Sequence, residues 1–192
     1  MKFTKIPADT FKQIQLNAGI ILTDFKPEEG SYKPTDILGA TSGGVGFSAT
    51  PEFVDFGEDI DNCPKNMKEL KKLDKWTVTM SGNFVTVTPD MIAFLIGAAD
   101  PEGEKVVPRN DVLDEDFKDL WWVGDYGADN SEESGGFLAI HIINSLSTGG
   151  FQLQSTDKNK SQFAFEFTGH YSMKAQETVP FEIYLADSTA ED

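Results

Sequence analysis

Phe163, Phe165 and Phe167 alternate with Gln162, Ala164, Glu166 and Thr168. A period of two puts every second side chain on one side of an extended chain, so this run reads as a strand with an apolar and a polar face. Such a strand needs a packed layer on one side and tolerates water on the other. Tyr171 continues the apolar set. The same period recurs in Trp76-Thr77-Val78-Thr79-Met80-Ser81 and in Phe181, Ile183 and Leu185. It recurs again where Val45, Phe47 and Ala49 oppose Gly46, Ser48 and Thr50. No single helix accommodates these runs, so the fold is built from paired strands.

The remaining segments fill in the order. Ala18 to Phe25, Ile37 to Thr41 and Val45 to Phe56 read as strands, the last opened by Ser42-Gly43-Gly44. That glycine run lacks the Lys-Ser/Thr of a phosphate loop and enters a strand, so it reads as a bulge. After Ser81 the apolar set changes phase across Gly82-Asn83 into Phe84-Val85-Thr86-Val87, which predicts a bulge or tight turn there. Phe137 to Leu146 is more continuously apolar, as in a strand covered on both faces or at a subunit contact. Ser147-Thr148-Gly149-Gly150 then predicts a hairpin into Phe151-Gln152-Leu153-Gln154. One helix is signposted: Thr88 as N-cap, Pro89 at the first position, Asp90 on the dipole, an apolar body Met91 to Ile96 and Gly97 as stop. The expected fold is all-β, sandwich- or barrel-like, with one short flanking helix around 88–97, in a single domain of residues 1–192.

Charge excludes several functions. The 192 residues hold 16 Lys+Arg against 32 Asp+Glu, a formal charge of -16, and Arg109 is the only arginine. Grip on nucleic acid and on anionic membranes comes from basic residues, so neither is an expected binding partner. Cys63 is the single cysteine, which rules out a disulfide within the chain and a thiolate metal cluster. Met1 to Lys5 runs into polar residues, so no secretory leader is expected, and Met91 to Ile96 is too short to span a membrane.

Two charged stretches stand out. Asp100 to Ser134 holds 12 acids against Lys105, Arg109 and Lys118, and reads as a long excursion with a short strand inside. Lys65, Lys68, Lys71, Lys72 and Lys75 follow the acids Asp55, Glu58, Asp59 and Asp61. Opposed blocks on one chain suit complementary contacts between copies, and equally suit solvated loops. Asp59-Ile60-Asp61-Asn62 and Asp111 to Asp116 could ligate a hard cation by charge, but neither has the glycine and glutamate of a helix-loop-helix calcium loop. His141 and His170 both sit in strand patterns, with no serine in a nucleophile-elbow context and Cys63 far from either in sequence. Trp121-Trp122 reads as core or interface, or else as a sugar-stacking platform.

The order of Ile37-Leu38-Gly39-Ala40-Thr41-Ser42-Gly43-Gly44-Val45-Gly46-Phe47, the lysine-rich stretch into Trp76–Met80, and the Thr88–Gly97 helix resembles the major tail tube proteins of long non-contractile-tailed bacteriophages. The closing strands, Phe163–Met173 and Val179–Ala186, fit too, and the likeness runs from about Gly19 to Asp187. The resemblance implies a sandwich-like domain flanked by a helix, with no catalysis and no cofactor or metal. It implies hexameric rings that stack into a hollow tail tube, assembled in the host bacterial cytoplasm as part of the virion. Implied partners are copies of the chain itself, with tape-measure, tail-terminator and baseplate or tail-tip proteins. Double-stranded DNA would pass through without specific binding, and no membrane would be involved.

On that reading Ser48, Thr50, Glu52, Thr77, Thr79, Ser81, Gln152, Gln154, Glu166 and Thr168 are expected to face the lumen, as an acidic wall that repels phosphates. Asp55, Glu58, Asp59, Asp61, Lys65, Lys68, Lys71, Lys72 and Lys75, with the Gly39–Phe56 strands, are expected at the contact between rings. Two other functions compete. One is a tube protein of a contractile injection or secretion system. The other is a carbohydrate-binding β-sandwich using Trp121-Trp122 and an acid pair for calcium.

Overall fold

A computed structural model describes residues 5–7, 10–127 and 136–186. Its strands are β1 (Ile20–Leu22), β2 (Ile37–Gly39), β3 (Thr41–Asp55), β4 (Lys71–Phe84), β5 (Ala99–Glu102), β6 (Lys105–Pro108), β7 (Lys118–Tyr126), β8 (Gly136–Ser147), β9 (Gln152–Gln154), β10 (Gln162–Gly169) and β11 (Phe181–Ala186). The helix α1 (Pro89–Ile96) lies between β4 and β5. The protein is therefore all-β with one flanking helix.

Nine strands form one antiparallel sheet in the order β2-β1-β7-β8-β10-β4-β3, with β11 on β8 and β9 on β10; β5 and β6 form a separate hairpin. The sheet turns on itself where β8 changes partner. Residues up to Ile142 pair with β11, and Ser145 to Ser147 pair with β10. Between them Asn144 adopts φ 49, with its N–H on the Asp119 carboxylate and its amide on the His170 carbonyl. An αL residue in mid-strand kinks the ladder, and asparagine tolerates that conformation. The two halves then face each other. Phe181 of β11 meets Phe47 of β3 and Trp76 of β4, with ring centroids 5.9 and 5.4 Å apart.

The alternating phenylalanines build the core as their period dictates. Phe163, Phe165 and Phe167 are buried, joined by Val78, Met80 and Phe84 of β4 and by Ile140 and Ile142 of β8. Helix α1 closes one side, with Phe94 stacked on Phe167 at 4.7 Å. Its signals act as expected: the Thr88 hydroxyl accepts from Met91 N–H, and Gly97 caps the C-terminus at φ 85. A second, smaller cluster of Leu22, Phe25, Trp121 and Ala139 covers the opposite face of β7 and β8. That explains the continuous apolar content of Phe137 to Leu146, because both faces of β8 are packed.

Several expectations need correction. No turn occurs at Gly82-Asn83: β4 runs through both, pairing Gly82 with Phe165 and Asn83 with Ala164. Gly82 keeps the inward phase, and a Cβ there would stand 2.8 Å from Phe165 Cζ. A missing side chain that makes room for a ring had looked like a break in the pattern. The bulge sits on the partner strand, where Gly43 and Gly44 take φ +86 and +87. Phe151 to Gln154 does not fold back on β8. The chain continues along β10, and β9 pairs Gln152 with Ala164 and Gln154 with Gln162. The first two strands are shorter than Ala18–Phe25 and Ile37–Thr41. Tyr171 lies beyond the end of β10.

The acidic stretch Asp100 to Ser134 is no mere excursion. It contains the β5–β6 hairpin and then β7, a nine-residue strand between β1 and β8. Its last residues, 128–134, lie outside the described residues, as does Asp187. Ile183 and Leu185 continue the Phe181 period but are 54% and 56% exposed.

Candidate functional site

The ten residues expected on one wall do share one face. Antiparallel partners point the same way, and the register aligns Ser48 with Thr79 and Thr168, and Ser81 with Glu166. Thr50 lies opposite Thr77 and Glu52 opposite Lys75. Gln152 and Gln154 extend the face through Ala164 and Gln162. The result is the outer surface of β3–β4–β10–β9, which no helix or second sheet covers among the described residues.

The chemistry of this face differs from the expected acidic wall. Its side chains are mainly hydroxyls and amides, in short local contacts. Ser48 and Thr50 hydroxyls are 3.3 Å apart, those of Thr148 and Thr168 2.8 Å, and Thr148 also reaches the Glu166 carboxylate at 3.3 Å. Only Glu52 and Glu166 of the ten are acidic. The Thr77 hydroxyl donates to Glu52 at 2.7 Å, and this hydrogen bond, with help from Lys75 at 3.5 Å, holds the Glu52 carboxyl below its ordinary value. Lys75, the cation of this face, is thereby paired. The face is polar, as expected, without a dense acidic charge.

Beside this face runs an edge with no partner strand among the described residues. β3 is the terminal strand of the sheet and is 15 residues long. Pro51, which has no N–H to offer a ladder, is tolerated in a strand with one open side. A long open edge is a template for pairing with another chain. At the other margin of the face, β9 is also an edge, with Phe151 and Leu153 exposed.

The expected contact loop Asp55–Lys75 is only partly a loop. Beyond Pro51 and Trp76, β3 and β4 continue as a two-stranded arm in which Phe53 pairs with Leu73, Val54 with Lys72 and Asp55 with Lys71. Glu58, Asp59, Asp61, Lys65 and Lys68 occupy its tip, while Lys71, Lys72 and Lys75 stand on β4. Asp55 is committed to the tip itself, accepting from the Gly57 and Asn66 backbones at 2.9 Å each. Phe53, Phe56, Ile60 and Leu73 are each about half exposed or more. An isolated hairpin is barely stable in water, and this one leaves much apolar surface uncovered among the described residues.

Two further clusters were not anticipated. Arg109 ties the β5–β6 hairpin down, donating to Asp100 at 3.0 Å, the Asp111 carbonyl at 3.0 Å and Asp116 at 2.5 Å. Asp116 foremost, then Asp100, raise its already high pKa. The loop from Asp111 to Asp116 thus spends one carboxylate on a guanidinium. Among the described residues neither it nor Asp59–Asp61 brings together three groups able to hold a metal.

His141 lies flat on Trp121, with centroids 3.9 Å apart and planes at 4°. Asp119 approaches one ring nitrogen at 3.2 Å and Glu182 the other at 3.5 Å. Tyr184 donates to Glu182 at 2.5 Å, and this bond first, then His141, holds the Glu182 carboxyl below its ordinary value. The row stitches β7, β8 and β11 together. The histidine shares a hydrogen bond with Glu182 through Nδ1, while its buried Nε2 faces Asp119 without a hydrogen bond. Both tryptophans are buried, and Trp122 Nε1 donates to the Ala18 carbonyl at 2.9 Å. A sugar-stacking platform at Trp121-Trp122 is therefore excluded; alternation alone could not tell a covered aromatic pair from an exposed one.

Among the described residues no helix is long and apolar enough to cross a membrane. No protein-family model matches the chain, and no curated protein matches it.

Proposed function

We propose that the protein is a structural tail-tube subunit, whose copies form hexameric rings stacked into a conduit for double-stranded DNA. The observation that carries this reading is the bare β3–β4–β10–β9 face, bounded by two unpaired edges. Pairing β3 of one copy with β9 of the next would close six such faces into one barrel and cover the two edges that bound this face. The wall of that barrel would be the hydroxyl- and amide-rich face. Lys75 on this face is held by Glu52, which leaves it less available to grip passing phosphates. The arm would supply a second contact between copies. In this setting the chain belongs to the virion tail, with tape-measure, terminator and tail-tip proteins as assembly partners, and with no catalytic step.

Electron microscopy of the concentrated protein tests the reading. Rings or tubes with an axial channel are expected, with the Ser48–Thr79–Thr168 row on the channel wall in a strand-resolving map. A protein that stays a 21.1 kDa monomer at all concentrations, or a channel lined by β7 and β11, overturns it.

A further inference from the structure

In an antiparallel ladder alternate residues turn both N–H and C=O to one side, and those between turn both to the other. On β4 the Trp76 N–H donates to the Tyr171 hydroxyl, beyond the end of β10, so Trp76 turns away from β3. Its partner Pro51 therefore turns toward the open side, where a residue without an N–H breaks no bond to β4. Alternation carries that direction to Ala49, Phe47 and Val45, which pair with Val78, Met80 and Gly82. The open side of β3 thus offers the N–H groups of Val45, Phe47 and Ala49, with no strand to receive them among the described residues. Pro51 ends this stretch at one limit. The bulge at Gly43 and Gly44, with φ +86 and +87, ends it at the other.

The β9 edge follows the same rule. The N–H groups of Thr148 and Gly149 both donate to the Glu166 carbonyl, at 2.9 and 3.2 Å, so the even-numbered residues of β10 turn toward β9. Gln152 and Gln154 lie opposite Ala164 and Gln162 and bond to them, which leaves Leu153 turned outward, with Phe151 and Ser155 on its flanks. Leu153 lies opposite Phe163, and the Phe151 ring is 5.9 Å from that of Phe163, so both side chains are on the apolar side. Val45, Phe47 and Ala49 also pack against the core. On both edges the residues that offer hydrogen bonds outward therefore carry side chains on the apolar side.

That agreement selects an antiparallel joint. Antiparallel neighbours that exchange bonds share a face, so apolar stays beside apolar and Gln152 and Gln154 join the hydroxyl side. In a parallel joint an outward residue lies level with one turned away, which would set the glutamines against the core. Strand direction agrees. Each step from β3 through β4 and β10 to β9 is antiparallel, so β9 runs opposite to β3, and strands running along a channel keep their sense under rotation about its axis. Resting on the tube reading, we infer that β9 of one subunit pairs antiparallel with β3 of its neighbour in a single register, Leu153 opposite Phe47. This register sets Phe151 against Ala49 and Ser155 against Val45. A shift by two residues runs Phe151 onto Pro51 in one direction and Ser155 onto Gly43 in the other. On the hydroxyl side Gln152 then stands beside Ser48.

Paired cysteines in a Cys63→Ser background test the register, by oxidation of the assembled protein and denaturing electrophoresis. Ser48→Cys with Gln152→Cys makes a non-hydrogen-bonded pair across the joint, with Cα atoms about 4.5 Å apart and within disulfide range. Gly46→Cys or Thr50→Cys with Gln152→Cys is two residues out, at about 7–8 Å. The first pair should link at least roughly tenfold faster than either of the others, in a ladder that ends at the ring size. Equal linking by all three, or faster linking by one of the others, overturns the inference. Rings in the microscope without a link from the first pair overturn it and leave the tube reading standing. Neither rings nor links overturns both.

A proline reads the same edge without oxidation. Ala49→Pro removes an outward N–H and no bond to β4, so circular dichroism should be unchanged. Ring yield should fall by roughly tenfold, the contribution of about one hydrogen bond at each joint. Loss of the fold would mean that the Ala49 N–H serves β4, and unchanged ring yield that no neighbour uses it; either overturns the inference.

Discussion

The β3–β4 hairpin runs through two environments without a break in its strands. At one end Val45, Phe47, Val78 and Met80 lie over a core, with β10 hydrogen-bonded alongside. At the other, beyond a register shift between Glu52 and Phe53, Phe53 pairs with Leu73 and the two are 54% and 49% exposed. The side chains are alike at both ends, and what differs is the presence of a third strand and a facing layer. Apolar alternation therefore states a need for cover without stating who supplies it. At the first end the same chain supplies it, and at the second the proposed answer is another copy.

The comparison can be broken at its core end first. Phe167→Ala removes a fully buried ring stacked between Phe94 and Phe165, and should cost about 3–5 kcal/mol in chemical denaturation of the unassembled chain. A loss below 1 kcal/mol, roughly the cost of an exposed position, would mean that this end is no better covered than the arm. Gly82→Val probes the same end by crowding. With 2.8 Å between a Cβ and the Phe165 ring, destabilisation of about 1–3 kcal/mol is expected, whereas a turn at Gly82 would have tolerated the change. Phe53→Ser with Leu73→Ser closes the series at the arm. Stability of the unassembled chain should move by less than about 0.5 kcal/mol for each substitution while ring formation is lost, and a large loss of stability would place the pair in a core after all.

The three phenylalanines of β10, the Thr88–Gly97 helix and the two-sided burial of β8 were legible because each follows from local spacing or local capping. The shared face of Ser48, Thr79 and Thr168 was half legible. Period two assigned each residue to the polar side of its own strand, but only pairing could put three strands in register. The misreadings have one form. Gly82 looked like a break because a glycine that admits a ring is silent in sequence. Phe151–Gln154 looked like a return strand because a turn signal does not say which edge the chain joins next. Asp100–Ser134 was read as an excursion with a short strand inside, because local pattern shows neither the nine-residue length of β7 nor its place between β1 and β8.

What the sequence determined alone is therefore the class of element and the side of each strand that needs burial, since both depend on residues a few positions apart. The tertiary structure decided the neighbours. It placed β7 at the centre and β3 at the rim, turned β8 at Asn144 from one partner to another, and left the hydroxyl face and the arm uncovered. Those outcomes rest on contacts between segments far apart in the chain, whose closure no local pattern encodes. The excess of 16 negative charges illustrates the division. Composition announces it, but only the fold shows that little of it lies on the face proposed to meet DNA.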